Sequence, residues 1–275
     1  MSEHNQNGLT KTLHPIRDSF LESVKTQFFE NTHKEVSIKD YTGIAVDWFQ
    51  SSKQNNILGW QSFPYVDVTT GNTNYIESFL VRYGYDGFQI LSPHEYAYYM
   101  LIGKSGNTID NLEPNKPLII SVPNWEYGGL RPNWDYLLKM CEQKSIDIHL
   151  DLAWLTIARN IEIDLSHPCI KSVAMSTSKY SQDWVRAGIR WSKQRTMDSV
   201  TILNHYYSHN NTALFTAGAY AMQNIPRDYA WNTYKEKYSA IAKQLNVHET
   251  CLINVVKDKD TNEIYGVAKL LENNV

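Results

Sequence analysis

Apolar residues recur at intervals of three and four positions in several stretches of the chain, and this spacing predicts amphipathic helices. The first stretch covers residues 16–30, and another begins directly after residues 69–73 and ends at Gly84. The same spacing returns at residues 134–141 and, over a longer stretch, at residues 231–245. We therefore expect helices that each pack one apolar face against the rest of the protein.

Short, continuous apolar runs lie between these helices and predict buried strands. The runs cover residues 88–91, 118–122, 146–151 and 169–175, with a further candidate at 200–203. A helical stretch at 96–102 follows the first run, and residues 251–256 and 264–270 predict a terminal hairpin. This alternation predicts an α/β fold, a three-layer αβα arrangement around a mostly parallel central sheet.

The composition excludes a disordered chain and favours one large α/β unit with appendages. Hydrophobic residues make up 42% of the 275 positions, and the chain contains 18 tyrosines and 8 tryptophans. Such a chain can bury a sizeable core. The formal net charge of −3 provides no overall attraction for nucleic acids or anionic lipids, so we expect neither as a partner.

Neither membrane insertion nor metal binding is indicated. No apolar stretch reaches the length of a membrane helix, and the first ten residues are polar. Cys141, Cys169 and Cys251 are odd in number and widely separated, so they indicate neither a disulfide framework nor a zinc site. We expect a cytoplasmic protein with reduced cysteines and no bound metal.

Candidate functional residues lie where the predicted strands end, because ligands of open α/β sheets bind beyond the carboxyl ends of the strands. The polar positions in question are Gly71, Asn72 and Thr73 before a helix, residues 93–96, Asn124, Asp151 and residues 176–179. Taken singly, they have ordinary interpretations as helix caps, ion-pair partners or solvated loop residues. Their order is more informative, because one cofactor would use all of them.

That cofactor is pyridoxal 5′-phosphate. It needs a lysine for an imine bond, an acid beside its ring nitrogen, a donor to its phenolate oxygen, an aromatic neighbour and a cup for its phosphate. Residues 69–190 offer each of these groups. Over this stretch the chain resembles the fold-type I pyridoxal-phosphate enzymes, the aspartate aminotransferase superfamily. The resemblance implies the fold of these transferases, with a large domain and a small domain.

The resemblance assigns chemical roles to two motifs. Ser176, Ser178 and Lys179 match the Ser-x-Ser-Lys motif of the family, which implies that Lys179 forms the aldimine and that both serines lie near the phosphate. Asp151 and Trp154 fall on the Asp-x-Ala-Tyr motif, which implies that Asp151 pairs with the ring nitrogen. Trp154 replaces the tyrosine of the motif, and its indole N–H can donate a hydrogen bond but cannot titrate as a phenol does.

Shorter matches imply the remaining cofactor contacts. Gly71, Asn72 and Thr73 resemble the small-residue loop whose backbone amides hold the phosphate. Tyr96 lies in the segment that is similar to the one supplying a ring-stacking aromatic side chain. Asn124 resembles the asparagine whose amide lies on the phenolate oxygen.

Arginines of two kinds are expected in such a site. Arg186 and Arg190 both follow Lys179 at spacings that resemble that of the phosphate-binding arginine, and only one of them is needed. After Arg227 the chain has no arginine. The arginine that binds the substrate carboxylate in the family is therefore absent from its usual place or is replaced. Candidate replacements are Arg17, Arg131 and Arg159.

The resemblance also divides the chain into three segments. Residues 1–64 are expected to be an N-terminal segment, a helix plus an irregular region, that belongs to the small domain or to a dimer arm. Residues 65–225 are expected to form the large domain that binds pyridoxal phosphate. Residues 226–275 are expected to form a reduced C-terminal unit of one helix and a hairpin. No clear pattern predicts the structure of residues 31–65.

The implied function is that of a pyridoxal-phosphate-dependent aminotransferase that acts on an amino acid or a related amine through the Lys179 aldimine. One alternative is a lyase that performs β-elimination or decarboxylation, since it needs the same residues around the cofactor. Another is a non-catalytic relative of the fold, although the joint presence of Lys179, Asp151 and Asn124 favours an enzyme. The resemblance further implies a homodimer.

Overall fold

The computed structural model describes residues 9–91, 95, 106–180, 184–207 and 211–272. Its helices are α1 (Ser19–Glu30), α2 (Ile38–Gln50), α3 (Asn72–Tyr83), α4 (Trp134–Gln143), α5 (Ser199–Thr201), α6 (Thr212–Asn224), α7 (Tyr229–Gln244) and α8 (Ala268–Glu272). Its strands are β1 (Asn56–Leu58), β2 (Tyr65–Thr69), β3 (Leu118–Ser121), β4 (Ile148–Asp151), β5 (Glu162–Asp164), β6 (Ile170–Ser176), β7 (Gly188–Ser192), β8 (His248–Glu249), β9 (Val255–Lys257) and β10 (Ile264–Gly266). Short 3₁₀ turns cover Trp60–Ser62, Ala153–Ile157 and Thr177–Lys179, and a π-helical turn covers Ile202–Tyr206.

A five-stranded sheet in the order β2-β7-β6-β4-β3 forms the centre of the protein. Strands β3, β4 and β6 pair in parallel, whereas β7 is antiparallel to both of its neighbours, β6 and β2. Four of the five strands therefore point in the same direction, and the mostly parallel sheet expected from the sequence is confirmed. Ser121, Asp151 and Ser176 end the three parallel strands at the same edge.

Helices cover both faces of this sheet, which explains why its strands are apolar without alternation. Ile119 and Ala174 pack against α3 in one buried cluster. The adjacent residues Ile120 and Val173 point to the opposite face and belong to the larger core, which includes Tyr41 of α2. The predicted three-layer αβα arrangement is therefore present.

The sequence did not predict two strands of the sheet, β2 and β7, because each carries a buried charge that interrupts its apolar pattern. Arg190 of β7 lies with Nη2 at 2.5 Å from Oδ2 of Asp67 in β2 and with Nη1 at 2.6 Å from Oδ2 of Asp198. All three residues are buried. Pairing the charges compensates part of the cost of removing them from water.

Polar caps fix the starts of the first two helices. The Leu21 N–H donates to Oδ1 of Asp18 at 2.7 Å, so α1 begins at Ser19, later than the apolar spacing predicted. Helix α2 lies in the stretch where no pattern was found. Its start is marked by Ser37, whose Oγ accepts a hydrogen bond from the Asp40 N–H at 3.1 Å. This capping signal is present in the sequence but is independent of apolar spacing.

The strand predicted at residues 200–203 is wrong, because this segment is helical. The Asp198 side chain caps α5 by accepting a hydrogen bond from the Thr201 N–H at 2.9 Å, and the chain continues directly into the π-helical turn. Leu203 is 36% exposed, so its apolar character does not mark a buried strand. A short apolar run cannot by itself distinguish a strand from a helical turn.

The run at residues 88–91 is extended but pairs only through isolated bridges, such as that between Gln89 and Leu118. The run therefore lies beside the edge strand β3 of the central sheet and does not form a full strand. The helical stretch predicted at 96–102 lies outside the described residues.

The predicted C-terminal hairpin is present as β9 and β10, and β8 extends it to three antiparallel strands. Both strands are shorter than the predicted 251–256 and 264–270, because the first begins only at Val255 and the residues from Ala268 form helix α8. The backbone of Thr10 pairs with that of Gly266, with N–H to O distances of 3.2 and 2.8 Å in the two directions. The division of the chain into three segments stays a prediction. Residues from all three, such as Leu21, Leu150 and Val255, belong to the same buried cluster.

The described ranges contain neither a membrane-spanning helix nor a cluster of metal ligands. None of the helices in those ranges is both long and apolar enough to cross a membrane. No group of three or more His, Cys, Asp or Glu residues in the same ranges could hold a metal ion. Cys141, Cys169 and Cys251 are free thiols.

Burial of His149 makes the stability of the fold depend on pH. His149 lies in β4 with Nδ1 at 2.7 Å from Oγ of Ser172, and burial lowers its pKa to about 3. In the unfolded chain a histidine has a pKa of about 6.5. Between these values the unfolded chain binds a proton that the folded chain does not, so stability is lost as the pH falls. We expect this residue to lower the free energy of unfolding by about 2 kcal/mol between pH 7 and pH 5.

Urea denaturation of His149→Asn at pH 7 and at pH 5 tests this prediction. Asparagine does not titrate, so the difference between the two pH values should shrink by about 2 kcal/mol. His248→Asn is the matched control, because His248 is exposed and its removal should leave the difference unchanged. A His149→Asn protein with the full pH dependence of the wild type would contradict the assignment.

Candidate active site

A cavity with about 570 Å³ of empty space lies at the edge where the parallel strands end. It is lined by Thr70, Gly71, Asn72, Thr73, Ile76, Ser121, Asp151, Ala153, Trp154, Ser178, Lys179 and Arg186. The structure thus brings eight of the sequence-predicted site residues together, namely Gly71, Asn72, Thr73, Asp151, Trp154, Ser178, Lys179 and Arg186.

The start of α3 forms one wall of the cavity. Gly71 immediately precedes the helix with φ of +96°, a conformation that disfavours residues with a side chain. A Cβ atom at this position would lie 3.1 Å from the backbone oxygen of Arg186. Glycine therefore lets the first turn of α3 approach the chain at Arg186 closely. The first turn of a helix has backbone N–H groups without an acceptor in the helix, so this wall favours an anion.

Asp151 is buried at the end of β4 and is held by two donors. Its Oδ1 accepts hydrogen bonds from the Asn72 side-chain amide and, at 2.9 Å, from the Ala153 N–H. Asn72 also donates to the backbone oxygen of Ala174, at 2.9 Å, which fixes the orientation of its amide. Burial raises the pKa of Asp151, while the Asn72 hydrogen bond, the Ala153 N–H and the charge of Lys179 act in the opposite direction. A cation placed beside Asp151 would favour its ionised form further.

Lys179 lies in the 3₁₀ turn directly after β6. Its Nζ is 4.1 Å from the centroid of the Trp154 ring, a cation–π contact that holds the side chain beside the cavity. The turn is fixed by Thr177, whose hydroxyl donates to the backbone oxygen of Val185 at 2.8 Å. The hydroxyls of Ser176 and Ser178 are 3.0 Å apart. Ser178 lines the cavity, whereas Ser176 is fully buried behind it.

The two candidate arginines have different surroundings. Arg186 is exposed and lines the cavity opposite the start of α3. Arg190 is not among the lining residues. Its guanidinium is buried and occupied by Asp67 and Asp198, and it also donates to Oγ1 of Thr201 at 2.8 Å. The structure therefore places Arg190 in a structural ion-pair cluster within the sheet, away from the cavity.

Asn124, which was also predicted, does not line the cavity. Asn124 is buried, and its Oδ1 accepts hydrogen bonds from the N–H groups of Glu126 at 3.0 Å and Tyr127 at 3.3 Å, which stabilises the turn that follows β3. Tyr96 lies outside the described residues.

Sequence reasoning missed four lining residues: Thr70, Ile76, Ser121 and Ala153. Ser121 had a signal, because it is the one polar residue in the apolar run of β3. Its N–H donates to Oε2 of Glu95 at 3.1 Å, and Oε1 of Glu95 pairs with Nη2 of Arg131 at 2.9 Å. Burial raises the pKa of Glu95 to about 7, although Arg131 opposes this shift. The pair lies directly behind the cavity wall at Ser121.

The sequence and the structure of this chain differ in how far they resemble known proteins. No protein-family model matches the chain, and no curated protein is significantly similar to it in sequence. The structure, by contrast, matches many solved structures. One is the PLP-bound C–S lyase of Staphylococcus hominis, with a TM-score of 0.61 and 11% identity over 92% of this chain and 76% of that one.

Two aminotransferases match about as well. Tyrosine aminotransferase of Leishmania infantum has a TM-score of 0.59 and 13% identity, over 92% of this chain and 79% of that chain. Histidinol-phosphate aminotransferase of Clostridium acetobutylicum has a TM-score of 0.57 and 15% identity, over 93% and 82%. The chain has the fold of the fold-type I pyridoxal-phosphate enzymes. The resemblance expected from residues 69–190 is thus confirmed as a likeness of fold, and the likeness extends over most of the chain.

The matched fold indicates where in the protein a ligand would bind. In an open α/β sheet the edge formed by the carboxyl ends of the strands is where ligands bind, and the cavity lies at that edge. At 11–15% identity the comparisons establish the fold alone. What this chain binds and which reaction it performs must therefore be argued from its own residues.

Proposed function

We propose that the chain is a pyridoxal-phosphate-dependent enzyme of the aminotransferase type, acting on a small amine or amino acid. One observation carries the proposal: Lys179 and Asp151 line the same cavity as the start of α3 and Arg186. A lysine, a buried acid and an anion-binding wall are three of the five groups that this cofactor requires.

The chemistry of the lining residues fits the cofactor. Gly71 brings the first turn of α3 against Arg186, and this wall with Ser178 would hold the phosphate. Asp151 would hold the proton on the ring nitrogen, since its carboxylate is already oriented by Asn72 and Ala153. Lys179 would form the covalent attachment. We do not include Arg190 in the proposed site, and Ser176 would act only through Ser178.

When bound, pyridoxal phosphate supplies an electron sink that stabilises negative charge at the substrate Cα. The control of protonation and the movement of protons depend on residues of the chain. Asp151 would keep the ring nitrogen protonated. Burial, the largest effect, raises the pKa of Asp151, while the hydrogen bonds from Asn72 and Ala153 and the charge of Lys179 oppose this rise and favour the ionised carboxylate. Lys179 would hold the cofactor, and its Nζ, as a neutral amine, would be a base able to take up the proton of the substrate Cα. Trp154 keeps the lysine side chain within reach by contact with its ring.

A lyase of the same class is a second candidate, because two of the three candidate arginines for a substrate carboxylate are otherwise engaged. Arg131 is buried in its pair with Glu95, and Arg159 lies 2.5 Å from Glu249 and over the Trp231 ring. Among the described residues that line the cavity, Arg186 is the only arginine. A lyase needs the same residues around the cofactor, so it stays the second candidate.

Product analysis separates the two reactions. The holoenzyme is incubated with one amino acid and no acceptor. A transaminase should yield one equivalent of the keto acid per active site and leave the cofactor in its amine form. A lyase should instead release ammonia or carbon dioxide over many turnovers. Formation of neither product with any amine would contradict both reactions.

The proposal also includes a homodimer and a cytoplasmic location, which size-exclusion chromatography with light scattering and cell fractionation would check.

We expect Arg186 and Arg190 to respond differently to replacement. Arg186→Gln should weaken binding of pyridoxal phosphate by about 10- to 100-fold, the usual loss for a hydrogen bond to a charged group. Because Arg186 is exposed, the free energy of unfolding should change by about 0.5 kcal/mol or less. Arg190→Leu should cost about 3–5 kcal/mol of stability, since it leaves Asp67 and Asp198 buried without their cation. Cofactor titration and urea denaturation of both variants measure these effects. The reverse pattern would assign the phosphate to Arg190.

A further inference from the structure

We propose that a second cavity, at the far end of the central sheet, binds a small oxyanion of the size of inorganic phosphate or sulfate. Its wall includes Arg82 from the last turn of α3, His149 near the start of β4 and Arg190 of β7. Asp151 and Lys179 lie at or beyond the opposite ends of the strands, so this cavity is separate from the one described above. The proposal concerns a further binding site and does not depend on the proposed function.

The space in the second cavity suits a small ion and nothing larger. The centres of water molecules can occupy about 40 Å³ of it. One water molecule needs about 10–15 Å³ on this measure. The cavity therefore has room for a few water molecules, or for one small oxyanion in their place, and excludes a nucleotide or a peptide. Two lining residues, Arg82 and Gln194, are exposed, so an ion can enter from solvent.

Two buried N–H positions in the wall have no hydrogen-bond partner within the described residues. They are Nε2 of His149 and Nε of Arg190, whose residues are 5% and 2% exposed. Buried polar groups in native proteins are almost always hydrogen-bonded, and leaving a buried donor without an acceptor is unfavourable. A ligand with several acceptor atoms would satisfy both positions.

The hydrogen-bond network around His149 places the ring hydrogen on Nε2. The Tyr75 hydroxyl lies 2.7 Å from Oγ of Ser172, and this Oγ lies 2.7 Å from Nδ1 of His149. Within the described ranges the Tyr75 hydroxyl has no other partner, so it donates to Ser172, and Ser172 in turn donates to Nδ1. Burial lowers the pKa of His149 to about 3 and keeps the ring neutral. Nε2 therefore presents a donor to the cavity.

The carboxylates in the wall of the second cavity already have partners. Besides its ion pair with the arginine of β7, Asp198 accepts hydrogen bonds from the Thr196 hydroxyl at 2.6 Å and from the Thr201 N–H at 2.9 Å. Asp147 lies 3.5 Å from Nζ of Lys171. The groups that still need a partner are thus donors, and they require an acceptor-rich ligand rather than an amine.

The charges around the cavity favour an anion over a neutral acceptor. After burial, the charges of Arg82 and Arg190 are the largest effects that lower the pKa of His149, whereas Asp198 acts in the opposite direction. Charges that disfavour a cationic ring attract an anion at the same place. The Arg82 guanidinium lies 4.6 Å from the centroid of the Tyr83 ring and pairs with no carboxylate of the described residues. An oxyanion supplies both the charge and the several acceptors.

Equilibrium dialysis with radiolabelled phosphate tests the proposal on the protein loaded with pyridoxal phosphate, in which the cofactor occupies the first cavity. We expect one phosphate per chain. Arg82→Gln removes an exposed charge, so the fold should stay intact, and it should weaken phosphate binding by about 10-fold or more, the usual loss for a hydrogen bond to a charged group. Arg195→Gln is the matched control, because Arg195 is also exposed but does not line the cavity. Its affinity for phosphate should equal that of the wild type.

A second arm of the dialysis separates this inference from the proposed function. If the protein takes up no pyridoxal phosphate, the same measurements are made in the Arg186→Gln background, which weakens anion binding in the first cavity. One phosphate per chain that Arg82→Gln weakens would support the second cavity even where the proposed function fails. Absence of phosphate binding, or equal affinity in the wild type and in Arg82→Gln, would overturn the inference.

NMR of the histidine rings tests whether His149 itself contacts the anion. The ring ¹⁵N signals of His149 are identified by their loss in His149→Asn. We expect added phosphate to shift the Nε2 signal of His149 and to leave the ring signals of His248 in place, because His248 is exposed and does not line the cavity. A His149 signal that phosphate does not shift would show that the cavity holds water only and would overturn the inference.

Discussion

Replacing Lys179 by alanine should abolish covalent attachment of pyridoxal phosphate and lower the rate of any reaction at Cα by about 10⁴-fold or more. The reason is that Lys179 is proposed both to bind the cofactor and to move the Cα proton, and removal of a group with two roles leaves only the cofactor's intrinsic reactivity. The visible absorption band of the lysine-bound cofactor should be missing. Cofactor still held by the wall of α3 and Arg186 should be removable by gel filtration.

Lys171→Ala is the control for this experiment. Lys171 lies on the strand that leads into the Lys179 turn but near its opposite end, 3.5 Å from Asp147, and lines no part of the proposed site. Its replacement should leave both the absorption band and the activity intact. A Lys179→Ala protein that kept covalently bound cofactor would place the reacting lysine elsewhere in the chain.

Asp151→Asn should slow removal of the Cα proton by about 10²- to 10³-fold while leaving the cofactor bound. Asparagine has nearly the same shape, and its side-chain oxygen can keep the hydrogen bonds from Asn72 and Ala153, so the fold should be maintained. What is lost is the negative charge that keeps the ring nitrogen protonated. Single-turnover kinetics with an amine substrate isolate this step from binding and product release.

The matched control is Asp147→Asn, which removes a carboxylate from the other end of β4. Asp147 is 53% exposed and lies next to Lys171, away from the cavity. Single-turnover rates should therefore match those of the wild type. Full activity in Asp151→Asn would refute the proposal that Asp151 controls protonation of the ring.

The sequence was sufficient to predict the groups that end the parallel strands. Asp151 and Lys179 each come at the end of an apolar run or shortly after it, so their places at the sheet edge could be inferred from the order of residues alone. Strands β2 and β7 could not be inferred in this way, because the ion pair between Asp67 and Arg190 makes their patterns appear polar. Only three-dimensional contact shows that these two charges neutralise each other within the sheet.

The sequence also did not predict the orientation of several side chains. Asn72 was expected to contribute its backbone to a phosphate site, and nothing in the chain indicated that its side chain would hold Asp151. Arg186 and Arg190 have similar spacings from Lys179, and only the structure separates an exposed residue at the cavity from a buried partner of Asp67. Such distinctions depend on residues far apart in sequence, which local patterns do not encode.

The central claim is that Lys179 binds pyridoxal phosphate covalently, and trapping this bond tests it most directly. The purified protein is incubated with the cofactor, reduced with borohydride and digested, and the peptides are analysed by mass spectrometry. We expect to find the reduced cofactor on the peptide that contains Lys179 and on no other. A protein that takes up no cofactor, or that carries it on a different lysine, would contradict the account.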